Sequence, residues 1–268
     1  MSLEQLNSRE SLQRFASFMG AIRAFMHKRD IIEVVTNPLM EKIVPDRGVD
    51  PISVKLNVGE RYLHTSPEWE MKKLLANDSG SIYQMVSVFR DDLDAKWHRP
   101  AFIMLEWYQV GIDENELIQN CIDLMIACGF KDAVQIMTMF ELYDRYCGID
   151  LKTCHVESLK NYCASSGIEI EGLEDTQHLS SWLEVIWVNK IEPNLKGFVV
   201  VKDFHVEQAA LAKIENKPYP YAKRFEIFID GCEIANGYCE STDIECLKTR
   251  FSEYSGQFKT VDPKDIES

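Results

Sequence analysis

The chain has no Cys-x-x-Cys pair, no cluster of lysine and arginine, no internal repeat and no apolar run near the length of a membrane span. Each gap excludes something. The eight cysteines include Cys121/Cys128, Cys147/Cys154 and Cys232/Cys239/Cys246, which recur every seven residues. Zinc sites and disulfide frameworks need closer clustering or an extracellular setting, so these read as free core thiols in a reducing compartment. Positive charge is scarce: the formal net charge is −14. A surface that negative repels phosphate backbones and disfavours nucleic acid as the main partner. The opening "MSLEQLNSRE" is polar rather than a signal peptide, so the expected location is cytoplasmic, with no membrane association. No linker marks a boundary, so residues 1–268 are expected to form a single domain, with a flexible polar tail over 256–268.

What is present suits a folded core. The chain is 268 residues long, 46% hydrophobic and 27% charged, ordinary for a soluble globular protein. Leu12, Phe15, Met19, Ile22 and Met26 repeat at helical spacing and predict a helix over 9–28. "DIIEVVT" reads as a short strand before Pro38, and 41–60, with no clear period, as loop. "PEWEMKKLL" predicts a helix over 67–75 capped by Ser66 or Thr65. Residues 81–90 alternate, as do those from Phe102 to Tyr108, predicting an antiparallel hairpin with a long loop. Helices are expected over 114–128 and 131–146, while 147–192 mixes helix with irregular chain and shows little pattern.

"GFVVV", "RFEIFID" and "CEIANGY" read as strands, the last two joined by an Asp230-Gly231 turn. A closing helix is expected after a Thr242/Glu245 capping box. Together these predict an α+β fold, a mostly antiparallel sheet flanked by helices.

Four features are odd for a merely structural protein. Arg90 falls on a strand face shared with Ile82, Val86 and Val88, a costly place for a guanidinium without an anion. Glu106 lies between Met104 and Tyr108 on an otherwise apolar face. Glu233 and Asn236 flank "IA" after the turn, and Glu240 follows. Carboxylates and an arginine converging on a sheet suit Mg²⁺, ammonium groups and phosphate. The plain alternative is an Arg90–Glu106 ion pair between neighbouring strands, which periodicity does not decide. Trp107 and Tyr108 read as core; His27, His64, His155, His178 and His205 match no ligand spacing.

"TSPEWEMKKLLA", "IYQMVSVFRDD" and "HRPAFIMLEWYQ" resemble the second signature motif of class II aminoacyl-tRNA synthetases. The likeness is to the lysyl-tRNA synthetase-like branch, including enzymes that attach β-lysine to elongation factor P. "AIRAFMHKRDIIEVVTNPLM" is similar to the first motif, with Pro38 at its proline. "EPNLKGFVVVKDFHVEQAALAKI" and "AKRFEIFIDGCEIANGYCESTD" are similar to the later core, so the resemblance covers about 15–250.

It implies a class II synthetase-like catalytic core, C-terminally truncated, since the third motif would begin where the chain stops at Ser268. It implies ATP and Mg²⁺ as cofactors. Arg90 would act on the α-phosphate as a catalytic residue, and His98 and Phe102 would lie by the adenine, with Phe102 as a stacking surface. Glu233 would support Mg²⁺ or the phosphates, and Ser66, Glu68, Glu106, Asn236 and Glu240 would line the amino-acid pocket. A helix cap is the rival reading of Ser66.

The expected activity is an ATP-dependent ligase that adenylates a lysine-like amino acid and transfers it to a protein or small-molecule acceptor. A protein acceptor similar to elongation factor P fits; tRNA does not, because no separate anticodon-binding domain precedes the core. A homodimer through residues 12–36 is expected. The alternative is a non-catalytic paralogue that binds an amino acid or partner protein. Loss of the third motif and of the glutamate at Ala101 favours it. The chain departs from the family pattern where Asp91, Asp92 and Leu93 replace Asn-Glu-Glu, Arg99, Pro100 and Ala101 replace Asn-Pro-Glu, and His205, Val206 and Glu207 replace Pro-Ala-Ser.

Overall fold

The computed structural model describes residues 8–44, 49–91, 99–170, 172–173, 176–252 and 260–261. They fall into two compact units. The first contains residues up to 112, 123–130 and those from 248 onward; the second contains 113–122 and 131–247.

In the first unit the amphipathic stretch forms helix α1 (Arg9–Lys28), begun by a capping box between Ser8 and Ser11. Strand β1 (Ile32–Glu33) is short and pairs in parallel with β5 (Ile82–Phe89). Strands β2 (Leu39–Met40), β3 (Ser53–Leu56) and β4 (Gly59–Leu63) make a small antiparallel sheet. That corrects the loop expected over 41–60. Strands this short show too few alternations for a period to register. Helix α2 (Glu68–Ala76) precedes β5, which pairs antiparallel with β6 (Ala101–Tyr108) in the expected hairpin.

The hairpin's two faces differ. Tyr83, Met85, Leu105 and Trp107 pack with Ile22, Phe25 and Met26 of α1 and with Leu124. Leu124 belongs to helix α3 (Glu114–Ala127), whose residues from 123 onward lie in this unit. Thr260 bridges Ile43 and Val261 is buried; the rest of the tail lies outside the described residues.

The second unit carries a sheet ordered β11-β10-β8-β7, with β9 (Ile214–Glu215) on β10. Strand β7 (Val134–Thr138) and β8 (Phe198–Phe204) are parallel. Hence 131–146 is not one helix: β7 comes first, and a Thr138–Glu141 capping box starts helix α4 (Met139–Cys147). Strand β8 is shielded on both faces and supplies the ladder that turns the preceding short apolar run into a strand.

Helices α5 (Val156–Ser165) and α6 (Leu179–Ile186) and a π-helical turn, Trp187–Ile191, fill the stretch that showed little pattern. Their apolar side chains join Tyr143, Val199, Val201, Phe204 and Phe228 in one core. Strands β10 (Tyr221–Ile229) and β11 (Cys232–Tyr238) turn at Asp230 and Gly231, both at positive φ (49° and 78°). Helix α7 (Ile244–Ser252) begins one residue later than expected, because the Asp243 carboxylate, not Thr242, accepts the Cys246 N–H (3.0 Å).

Every strand pairing among the described residues is antiparallel except β1–β5 and β7–β8. No helix among the described residues is long and apolar enough to cross a membrane. Cys121 and Cys163 are buried, and the other thiols are half-buried.

Candidate active site

The register of the β5–β6 hairpin decides what shares a face. Ile82 opposes Tyr108, Gln84 opposes Glu106, Val86 opposes Met104 and Val88 opposes Phe102. Opposed residues point to the same side of a sheet. Past Phe89 the pairing continues, since the Arg90 N–H donates to the Pro100 carbonyl (3.0 Å). Arg90, Phe102, Gln84, Glu106 and Tyr108 therefore project from the face opposite the one packed by α1 and Leu124.

Arg90 is half-buried. Its guanidinium lies 5.2 Å from the Phe102 ring centroid, and its Nε donates a long bond (3.4 Å) to the Thr65 carbonyl. The plain Arg90–Glu106 ion pair is ruled out by register. Glu106 stands opposite Gln84, six positions from Arg90 along β5, or about 20 Å at strand rise.

Glu106 instead accepts the Tyr108 hydroxyl (2.8 Å). Tyr108 is thus a polar member of this face rather than the core residue expected, while Trp107 packs against the α1 core. Gln84 is buried and accepts the Thr36 hydroxyl (2.9 Å). Ser66 Oγ accepts the Glu68 N–H (3.2 Å), the local capping contact of its rival reading, although the cap position of α2 is Pro67. Glu68 Oε1 pairs with Lys72 Nζ at 2.5 Å, and that ammonium lies 6.0 Å from the Tyr108 ring centroid. Ser66, Glu68, Glu106 and Tyr108 thus belong to one neighbourhood of the first unit. His98 lies outside the described residues.

His64, just before Ser66 in sequence, is buried. Its Nε2 donates to the Ser87 carbonyl (2.8 Å), while Nδ1 has no partner among the described residues. Burial pushes its pKa down, favouring the neutral ring.

In the second unit, Glu233 and Asn236 lie on β11 and Glu240 just beyond, where it bridges Ala212. Asn236 opposes Glu226 on β10. Without an irregularity Phe228 would face Ile234. A bulge between Ile227 and Phe228 makes it face Glu233, which puts Glu233 on the side of Glu226. Arg224 organises this face. Its Nη2 pairs with Glu226 (2.5 Å), its Nε donates to Asn236 Oδ1 (3.0 Å) and its Nη1 to the Gln208 carbonyl (2.7 Å). The guanidinium also lies 4.7 Å from the Phe204 ring centroid. Burial pushes the Glu226 carboxyl up, Glu233, Glu184 and Glu192 add to that, and Arg224 opposes it.

Arg224, Glu226, Tyr108 and Lys72 were not singled out from the sequence. A signal was available for the first two: a charged pair at alternate positions in the otherwise apolar strand "RFEIFI". Among the described residues no group of three or more His, Cys, Asp or Glu could hold a metal ion by itself. On the face of Glu226 and Glu233, Glu226 is already paired with Arg224, which leaves Glu233 as the carboxylate suited to Mg²⁺; that ion takes one or two carboxylates alongside phosphate oxygens and water.

The profile of the class II tRNA synthetases (D, K and N) matches residues 1–265. Elongation factor P–(R)-β-lysine ligases are similar over most of the chain. That of Proteus mirabilis is 32% identical, covering 90% of this chain and 76% of the relative. That of Vibrio vulnificus is 35% identical, covering 91% and 78%. That of Avibacterium paragallinarum is 33% identical, covering 96% and 82%. The chain belongs to the class II tRNA synthetase family.

Proposed function

We propose that this class II synthetase-family chain is an ATP-dependent amino-acid ligase that activates a lysine-like amino acid and passes it to a protein amine. The observation that carries this is the shared face of β5 and β6, with Arg90 beside Phe102 at one end and Glu106 beside Tyr108 towards the other. A guanidinium suits phosphate, and two carboxylates near a tyrosine suit ammonium groups.

In the proposed reaction the amino acid's carboxylate oxygen attacks the α-phosphorus of ATP. The bond from that phosphorus to the bridging oxygen breaks, and pyrophosphate leaves. Arg90 would stabilise charge growing on the α-phosphate oxygens, and Phe102 would stack on the adenine. Glu68 and Glu106, with Ser66, would orient the amino groups. The acceptor amine then attacks the activated carbonyl, loses a proton and displaces AMP.

On the second unit, Glu233 is proposed to support Mg²⁺. Asn236 and Glu240 remain candidates for the amino acid. The named activity of the relatives favours an acceptor similar to elongation factor P. Exposed Leu12, Phe18, Ile32 and Val35 on and after α1 favour a homodimer.

The test is amino-acid-dependent exchange of pyrophosphate into ATP across a panel containing α-lysine and β-lysine. Exchange with one of them is expected. Binding of an amino acid without exchange would replace the ligase by a non-catalytic sensor.

A further inference from the structure

The neighbourhood assigned to the substrate's amino groups already contains an ammonium of the protein's own. Lys72 lies one turn after Glu68 on α2, with its Nζ 2.5 Å from Glu68 Oε1. A glutamate followed four residues later by lysine is an ordinary helix pair, usually solvated and of little consequence. This pair is partly buried: the side chains are 17% and 26% exposed. The same ammonium stands over the ring of Tyr108, whose hydroxyl donates to Glu106. Lys72 therefore touches one of the carboxylates proposed to receive the amino acid and faces the tyrosine that holds the other. A carboxylate can accept several donors, so a second ammonium can join Lys72 on Glu68. The two cations then repel each other in a partly desolvated setting.

We propose that Lys72 is a selectivity residue of the amino-acid site: its ammonium neutralises Glu68 and limits how many ammonium groups an incoming ligand can place there. This rests on the ligase reading in locating the amino acid at Glu68 and Glu106. Lys72 acts through Glu68 and is a positioning residue. Replacing it with a neutral side chain removes one positive charge from beside Glu68, which favours a dication over a monocation. An arginine keeps the charge and the selectivity.

The experiment uses the full chain and two simple probes, pentane-1,5-diamine and pentylamine, with affinities measured by calorimetry at low salt. The ratio of diamine to monoamine affinity is expected to rise about fivefold or more in Lys72→Met and Lys72→Gln, the factor for a like-charge term of about 1 kcal/mol. In Lys72→Arg it should stay within about twofold of wild type. An unchanged ratio in a folded neutral variant overturns the proposal. So does the absence of binding of either amine to wild type, or unfolding of both neutral variants, which would make Lys72 a structural counter-ion. Pyrophosphate exchange on the same wild-type preparation separates the two claims. The expected ratios without exchange for any amino acid would defeat the ligase reading and leave Lys72 its role.

Discussion

Glu233 shares a sheet face with Glu226 because the β10–β11 ladder is bulged between Ile227 and Phe228, so that Phe228 opposes Glu233 instead of Ile234. One extra residue turns an alternation that would have separated the two carboxylates into one that unites them. Arg224 then ties Glu226 and Asn236 together across the strands.

That hairpin depends on two glycines. A Cβ at Gly237 would lie 2.6 Å from Phe225 Cζ, and one at Gly231 would lie 2.7 Å from the Glu192 carbonyl oxygen at a φ of 78°. Gly237→Ala should destabilise by about 1–3 kcal/mol through overpacking. Gly231→Ala should cost at least as much, because left-handed strain adds to a backbone clash. Urea denaturation of the two variants, followed by tryptophan fluorescence, checks both values.

Arg90→Ala should lower the rate of amino-acid-dependent pyrophosphate exchange by about a hundredfold or more, the scale of losing one charge-stabilising group. The thermal midpoint should hardly move, since among the described residues the Arg90 side chain makes a long bond to the Thr65 carbonyl and a ring contact with Phe102. A variant with wild-type exchange would remove Arg90 from the chemistry.

Glu114 opens α3 with a buried carboxyl whose Oε1 has no hydrogen-bond partner among the described residues. Burial pushes its pKa up to about 7; Lys202 and Lys223 oppose the shift, and Asp203 and Asp113 reinforce it. A carboxyl raised on folding stabilises while it is protonated. Its contribution is complete below the ordinary value of 4.5 and is lost as the pH rises through about 7. The stability of wild type relative to Glu114→Gln should therefore fall by a few kcal/mol between those limits, at 1.36 kcal/mol per pKa unit. Paired denaturation curves at pH 4.5, 6 and 8 measure it; a flat difference would refute the linkage.

Phe18 on α1 and Val35 beyond β1 are 45% and 90% exposed. Wild type should sediment as a dimer at micromolar concentration, and Phe18→Asp or Val35→Asp should shift it to monomer. Removing a large apolar anchor from an interface typically costs about 2 kcal/mol or more.

Much of the first unit was legible because its signals are local. The 3.6-residue period of α1 and the two-residue period of β5 and β6 follow from side-chain geometry along a single segment. That alternation was enough to group Arg90 with Ile82, Val86 and Val88 on β5, and Glu106 with Met104 and Tyr108 on β6. It was not enough to choose between an ion pair and a separation of about 20 Å, because register depends on the loop between strands. Misreadings came where pairing is non-local or segments are short. The residues of β7 look helical until β8 pairs beside them, and β3 and β4 are too brief to alternate visibly.

By itself, then, the sequence determined the two hairpins, the amphipathic first helix, the acidic surface and the family resemblance, all of which reside in residue type and short-range order. Only the tertiary structure decided which charges meet. The bulge that brings Glu233 beside Glu226, the register that parts Arg90 from Glu106, and the ammonium of Lys72 over Tyr108 each depend on where one segment lies against another. A charge's neighbours through space are set by packing and hydrogen-bond register, and no periodicity along the chain encodes them.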